Sequence, residues 1–128
     1  MSAIVAKVVE TAAIGPGLCV KKGTAENGVV ISGAGEIGYG VSMNQSPIES
    51  VSVGDHVDVA LQGTIAKIHL AATLAAGADV APDAAGKAVA IGSTAANKYF
   101  RAAVLLESGA AGELVDCIVT SDYVTIPA

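Results

Sequence analysis

Short runs rich in Val and Ile, separated at fairly regular intervals by glycine-based turn signals, constrain this chain more than any other feature. Clear turn signals are Gly15-Pro16-Gly17, Asn27-Gly28, Gly54-Asp55, Gln62-Gly63 and Gly109 to Gly112. Short strands at this spacing are typical of a β-sandwich or β-barrel. We therefore predict a mainly β protein, a compact antiparallel β-barrel or sandwich of short strands with one or two short helices.

The clearest strand pattern lies in residues 51–70. Val57, Val59 and Leu61 alternate with more polar residues, which is the period of a half-buried strand. The Gln62-Gly63 turn is predicted to return the chain as a hairpin. Similar phrases recur at residues 77–80 and 112–119, but the likeness is loose, so we interpret it as shared turn chemistry and not as a repeat.

Two segments favour short helices over strands. Residues 69–78 are rich in alanine and end near Gly77, a suitable residue just after a helix C-terminus. Residues 93–103 begin with Ser93, a plausible N-cap. Each segment is long enough for two or three helical turns.

The length of 128 residues suits one domain. The turn cluster near Gly15 divides the chain into residues 1–16, an N-terminal arm or first strand, and residues 17–128, a single β-rich domain. The apolar fraction of 52% contains many alanines, three Tyr, one Phe and no Trp. Because alanine contributes little when buried, we expect modest stability for a monomer and additional burial against other subunits.

Charge and hydropathy exclude several classes of function. The net charge is −5 and the seven Lys and Arg are scattered, so we expect no nucleic-acid partner. No uncharged stretch reaches the length of a membrane helix. The first residues lack a basic region followed by a long apolar run, so synthesis in the cytoplasm is expected. Cys19 and Cys117 are expected to be reduced and buried.

One stretch matches the G-x-G-x-x-G pattern of dinucleotide-binding proteins, at residues 33–38. That pattern binds pyrophosphate only when its glycines open a helix. A further glycine, Val41 and the Ser46-Pro47 turn signal follow within a few positions. We therefore predict a glycine-rich β-turn and no nucleotide site.

The remaining candidates for chemistry are sparse. A hairpin at Gln62-Gly63 would place His56 nearly opposite His69, but a third metal ligand is not evident. Ser52 or Cys117 with His56 and an acidic residue would make a nucleophilic triad, yet no sequence motif supports one. The prediction is a chain with no catalytic residues, no cofactor and no metal.

An ordered set of motifs resembles a widespread family of small phage capsid decoration or cement proteins. It consists of residues 51–63, a Gly-polar-apolar hairpin in residues 74–89, the pair Ile91-Gly92, and a leucine-rich strand with a glycine-rich turn in residues 101–115. The set covers roughly half the chain. It departs from the family in its alanine-rich centre.

The resemblance implies a structural phage protein that binds the outer surface of the assembled capsid and stabilises it. The implied partners are the major capsid protein and copies of the chain itself, with a homotrimer favoured and the virion exterior as location. Ile4, Val5, Val8 and Val9 are the candidate capsid or subunit contacts, since an apolar arm can add a strand to a neighbour's edge. The alternative is a β-sandwich binding module of a surface or adhesion protein.

Overall fold

The structure is a computed structural model that describes residues 4–34, 36, 38–43, 50–92 and 95–127. Strands account for all the regular structure in these residues, and no helix among them could span a membrane. The strands are β1 (Ile4–Val9), β2 (Cys19–Lys22), β3 (Gly28–Ile31), β4 (Gly40–Met43), β5 (His56–Ala60), β6 (Ile65–His69), β7 (Asp79–Pro82), β8 (Ala88–Ala90), β9 (Lys98–Leu105) and β10 (Leu114–Thr125).

The first five strands form a closed barrel in the order β1-β3-β2-β4-β5. Strand β5 pairs with β1 to close it, and all pairs are antiparallel except β1 with β3. The period-2 pattern explains the inward face, because Val57 and Val59 are buried while Asp58 between them is partly exposed. The predicted β-barrel is confirmed, with one parallel pair in it.

The last five strands form a second sheet in the order β6-β10-β9-β7-β8. A parallel bridge from Leu70 to Ala88 joins its two edges at one point. Strand β10 contains an irregularity between Val119 and Asp122, where Ser121 has a φ of 46°. This irregularity is a bulge within a long strand.

The two sheets are copies of one five-strand pattern. In each, the first strand pairs in parallel with the third and antiparallel with the fifth, and the second pairs with the third and fourth. The loops match as well: Ile14 and Val51 exchange two backbone hydrogen bonds, as do Leu74 and Gly109. The interpretation that the chain has no repeat was wrong. We call residues 4–60 repeat 1 and residues 65–125 repeat 2.

The two repeats share a core. The barrel encloses one apolar cluster of its own, built on residues such as Val9 and Val29. A second cluster fills the inner face of the second sheet, and it also includes Cys19, Val41 and Ala60 from the outer face of the barrel. Repeat 1 therefore completes the core of repeat 2.

Both predicted helices were wrong. Residues 70–78 form a loop, because Leu74 exchanges hydrogen bonds with Gly109 and the amide of Gly77 donates to Leu105. Residues 98–103 belong to β9, which pairs with β10. In both segments long-range backbone pairing overrides the helix propensity of alanine. The proposed N-cap, Ser93, lies outside the described residues.

The predicted hairpin between β5 and β6 was also wrong. A tight turn does exist, since the Thr64 amide donates to the Leu61 carbonyl at 3.1 Å. The turn carries the chain from the barrel to the second sheet, where β6 pairs with β10. The sequence pattern predicted the turn correctly but not the partner of the strand that follows.

Candidate contact surfaces

The contact residues predicted from the sequence lie on β1, and the structure divides them between its two faces. Val9 is 1% exposed inside the barrel, and Val5 packs against the same core. Ile4 is 50% exposed, and Val8 is partly exposed. Ile4 and Val8 are therefore the members of the set that the folded chain presents to a partner.

Strand β1 is paired along both edges within its own chain. It meets β5 over five residue pairs, from Ile4 with Ala60 to Val8 with His56. It meets β3 at Val8 and Val9. Addition of β1 to the sheet of a neighbouring subunit would require opening the barrel, so a contact through its outward side chains is the simpler route.

Large exposed apolar side chains elsewhere were missed by the sequence interpretation. They are Val53, Ile65, Leu106 and Tyr123, with exposures of 56%, 59%, 49% and 48%. Ile65 begins β6, where residues 66 and 68 are buried and residues 65 and 67 are exposed. The sequence Ile-Ala-Lys-Ile holds apolar residues on both faces, so alternation alone did not show which isoleucine faces solvent.

A pocket of about 430 Å³ lies at the end of the second sheet. Three of its lining residues are aromatic: Tyr99, Phe100 and Tyr123. Phe100 and Tyr123 meet edge to face at 5.9 Å, and the Lys98 ammonium lies 5.3 Å from the Tyr123 ring centre. Phe100 and Lys98 therefore each contact the Tyr123 ring, which is 48% exposed. The adhesion-module alternative gains no support from this pocket.

An ion-pair cluster ties the strands of the second sheet together. The Arg101 guanidinium donates two hydrogen bonds to Asp122, at 2.9 and 2.6 Å, and one to Asp79 at 3.0 Å. Hydrogen bonding to Arg101 lowers the pKa of Asp122 below its ordinary value. The cluster links β7, β9 and β10 and balances its own charges to within one unit.

The glycine-rich segment at residues 33–38 leads into strand β4 and not into a helix, as predicted. The Glu36 carboxylate accepts a hydrogen bond from the Gly33 amide and pairs with Lys21. These two contacts lower the pKa of Glu36. The carboxylate thus already accepts from the Gly33 amide, which disfavours the binding of another anion at that amide.

The candidate chemical residues are not brought together. His56 is opposite Val8 in the barrel, whereas His69 is opposite Leu114 in the second sheet. Burial raises the pKa of the Cys117 thiol to about 12, so it stays protonated at neutral pH. Among the described residues, no group of three or more potential metal ligands is found.

Comparison with known proteins identifies relatives. The sequence matches, over residues 2–118, the protein family described as structural cement protein (E217 gp24/Pam3 gp6). The fold is similar to a solved structure from bacteriophage phi29, described as the head fiber gp8.5 N base. That similarity has a TM-score of 0.61 and 15% sequence identity, and it covers 97% of this chain and 98% of that chain. No curated protein sequence matches the chain.

Proposed function

We propose that this chain, which belongs to the structural cement protein family of phages and is a structural component of the virion capsid, binds the outer surface of the assembled capsid and stabilises the shell. The observation that carries the proposal is the family match over residues 2–118, which includes both repeats almost completely. The all-β fold is consistent with a mechanical role. The chain acts without catalysis and without a cofactor.

The proposed contacts include the outward face of β1. Ile4 is half exposed and Val8 partly exposed, so both are available to the major capsid protein or to a neighbouring copy. Val5 and Val9 support this face from inside the barrel. In this arrangement residues 1–16 contribute the first strand and residues 17–128 the rest of one β-rich unit.

The proposed assembly is a homo-oligomer, with a trimer favoured, made in the host cytoplasm and recruited to the capsid exterior. Many equivalent contacts on a lattice raise the avidity by about 10² to 10⁴ over one contact. A ligand that binds only the assembled state stabilises that state by about 2.7 kcal/mol at a hundredfold excess over Kd. Weak individual contacts are therefore sufficient for a cement.

The test uses heads of the phage that encodes this chain, assembled without it. Purified protein is added to the heads, and pelleting measures the number of copies bound per head. We expect saturation at a fixed copy number and an increase in the temperature at which the decorated heads break. Light scattering of the free protein gives its oligomeric state.

Protein that stays in the supernatant at all concentrations would refute the proposal. Binding at a fixed copy number without any change in head stability would limit the role to decoration. An unrelated acidic protein of similar size is the control for trapping in the pellet.

A further inference from the structure

Register pairs define one matching row of side chains on the outer face of each repeat. Each row crosses four strands, and residues paired directly across strands point to the same side. The row of repeat 1 consists of Ile4, Ala60, Val41 and Cys19. The row of repeat 2 consists of Ile65, Ile118, Val104 and Asp79. Both start at the first residue of the first strand of the repeat.

The two rows differ in burial. In repeat 1, Cys19, Val41 and Ala60 are each 0% exposed, because they pack into the core of the second sheet. In repeat 2, Ile65 is 59% exposed, while Ile118 and Val104 are partly exposed. Ile4, the counterpart of Ile65, is also exposed, at 50%. The other three positions of the row are therefore an intramolecular interface in repeat 1 and a partly exposed surface in repeat 2.

The row of repeat 2 carries large apolar side chains at positions that are exposed or partly exposed to solvent. Ile118 stands where repeat 1 has Ala60, so the exposed repeat carries the larger side chain. Leu106, 49% exposed, lies beside the row, since its amide donates to the Asp116 carbonyl on the neighbouring strand. We define Ile65, Ile118, Val104 and Leu106 as the open row. Contiguous exposed apolar side chains of this kind mark interaction sites.

Four of the charged groups around the open row are paired within the chain, and the carboxylate of Glu107, exposed next to Leu106, accepts a hydrogen bond from the Asp116 amide at 2.8 Å. Lys67 forms a 3.0 Å ion pair with Asp116, and Asp79 accepts a hydrogen bond from Arg101 at 3.0 Å. Within the described part of the chain, Glu107 is the one of these groups without an ion pair, so the apolar side chains, and not an array of charges, are what a partner would recognise here. The surface fits an uncharged apolar partner, and salt should affect such a contact little.

The open row of one copy cannot pack into the second sheet of another copy in the way that the row of repeat 1 packs into the second sheet of its own chain. The receiving surface, the core of the second sheet, is filled in each copy by its own Cys19, Val41 and Ala60. A symmetric contact between two open rows would bury a few hundred Å² per copy. Stable dimers bury about 800 Å² per partner. A small apolar contact is sufficient where several linked copies, as in the proposed trimer, bind one lattice together.

We infer that the open row of repeat 2 is a capsid-contacting surface, and that its partner is an uncharged apolar patch on the outer face of the capsid protein. The inference rests on the proposed function and adds the surface that performs it. It also separates the roles of matching residues, because Cys19, Val41 and Ala60 pack the two repeats together while the open row holds the shell.

The test compares two variants that each introduce one negative charge at a β-branched residue of similar exposure. Ile65→Asp alters the open row, and Val53→Asp alters an exposed turn of repeat 1 at 56% exposure. We expect Ile65→Asp to weaken binding to undecorated heads by about tenfold or more, from loss of apolar burial. Val53→Asp should bind as the wild type does. Leu106→Asp, outside the strands, is a second variant for the open row.

Circular dichroism and thermal unfolding of each variant verify that it is folded. Binding of the wild type should change by less than about threefold between low and high salt. If Ile65→Asp and Leu106→Asp bind heads as the wild type does, this inference is overturned and the proposed function stands. Conversion of a wild-type oligomer to a monomer by Ile65→Asp would assign the row to subunit contact and overturn it too. Failure of the wild type to bind heads would refute both proposals.

Discussion

Replacing Gly17 with alanine should destabilise the protein far more than replacing Gly77, although the two glycines precede the second strand of their repeats in the same way. Their φ angles are +70° and +87°. An L residue in this left-handed region costs about 1–2 kcal/mol. Restriction of the unfolded chain offsets about 0.4–1 kcal/mol of that cost. Gly77→Ala should therefore reduce the free energy of unfolding by about 1 kcal/mol or less.

The surroundings of Gly17 add a second cost. A Cβ there would lie 2.5 Å from Leu114 Cδ2, 2.8 Å from the His69 amide nitrogen and 3.0 Å from the Lys67 carbonyl oxygen, whereas no described atom lies within 4 Å at Gly77. The backbone atoms belong to β6 and cannot turn away as a side chain can. The Gly17 carbonyl also accepts a 2.8 Å hydrogen bond from the His69 amide. Overpacking costs about 1–3 kcal/mol and a lost hydrogen bond about 1 kcal/mol.

The expected loss for Gly17→Ala is then about 3–5 kcal/mol, against about 1 kcal/mol for Gly77→Ala. Guanidinium unfolding followed by circular dichroism measures both values, with the denaturant slope checked for a common two-state transition. Equal losses at the two glycines would refute the reasoning, because they would show that the contact between the Gly17 loop and β6 does not constrain the fold.

Two further substitutions test polar contacts of the fold. Asp122→Asn should lower the free energy of unfolding at pH 7 by about 1 kcal/mol after allowance for partial exposure. Because the pKa of Asp122 is lowered in the folded state, its contribution to stability is present above the unfolded pKa near 4 and is lost as the pH falls through the folded pKa. Thermal unfolding of the variant should therefore depend less on pH below about 4 than that of the wild type. Ser42→Ala should cost about 1–3 kcal/mol in urea unfolding, because the buried Ser42 hydroxyl accepts from the Leu18 amide at 2.9 Å and donates to the Gly15 carbonyl at 2.7 Å. A pH profile unchanged in the first variant, or wild-type stability in the second, would contradict these assignments.

The sequence predicts local structure well where strand alternation and turn chemistry coincide. Val57 and Val59 face inward as the pattern predicts, and the Gln62-Gly63 turn is present. It predicts pairing poorly, because a tight turn looks the same whether it closes a hairpin or carries the chain to another sheet. The alanine-rich residues 70–78 illustrate the same limit, since the partner that holds Leu74 in an extended loop is distant in sequence.

The repeat is hidden in the sequence for a related reason. Matching positions share backbone conformation and hydrogen bonding, while their side chains follow different surroundings. Cys19 is buried under the second sheet, and its counterpart Asp79 is partly exposed and bonded to Arg101. Ala60 and Ile118 differ in the same way. The candidate contact surface was missed along with the repeat, since only the comparison of the two rows distinguishes it.

The thin, alanine-rich core also explains why the two repeats remain joined. Small side chains such as Ala66 and Ala103 line the inner face of the second sheet. They leave a core that repeat 2 cannot complete alone, and Val41 from the barrel fills part of it at 0% exposure. Separated repeats would each expose apolar surface that the whole chain buries, at about 25 cal/mol for each Å². The unit that acts on the capsid is therefore the pair of repeats, and contacts that hold the pair together, such as that of Gly17, bear on function through stability.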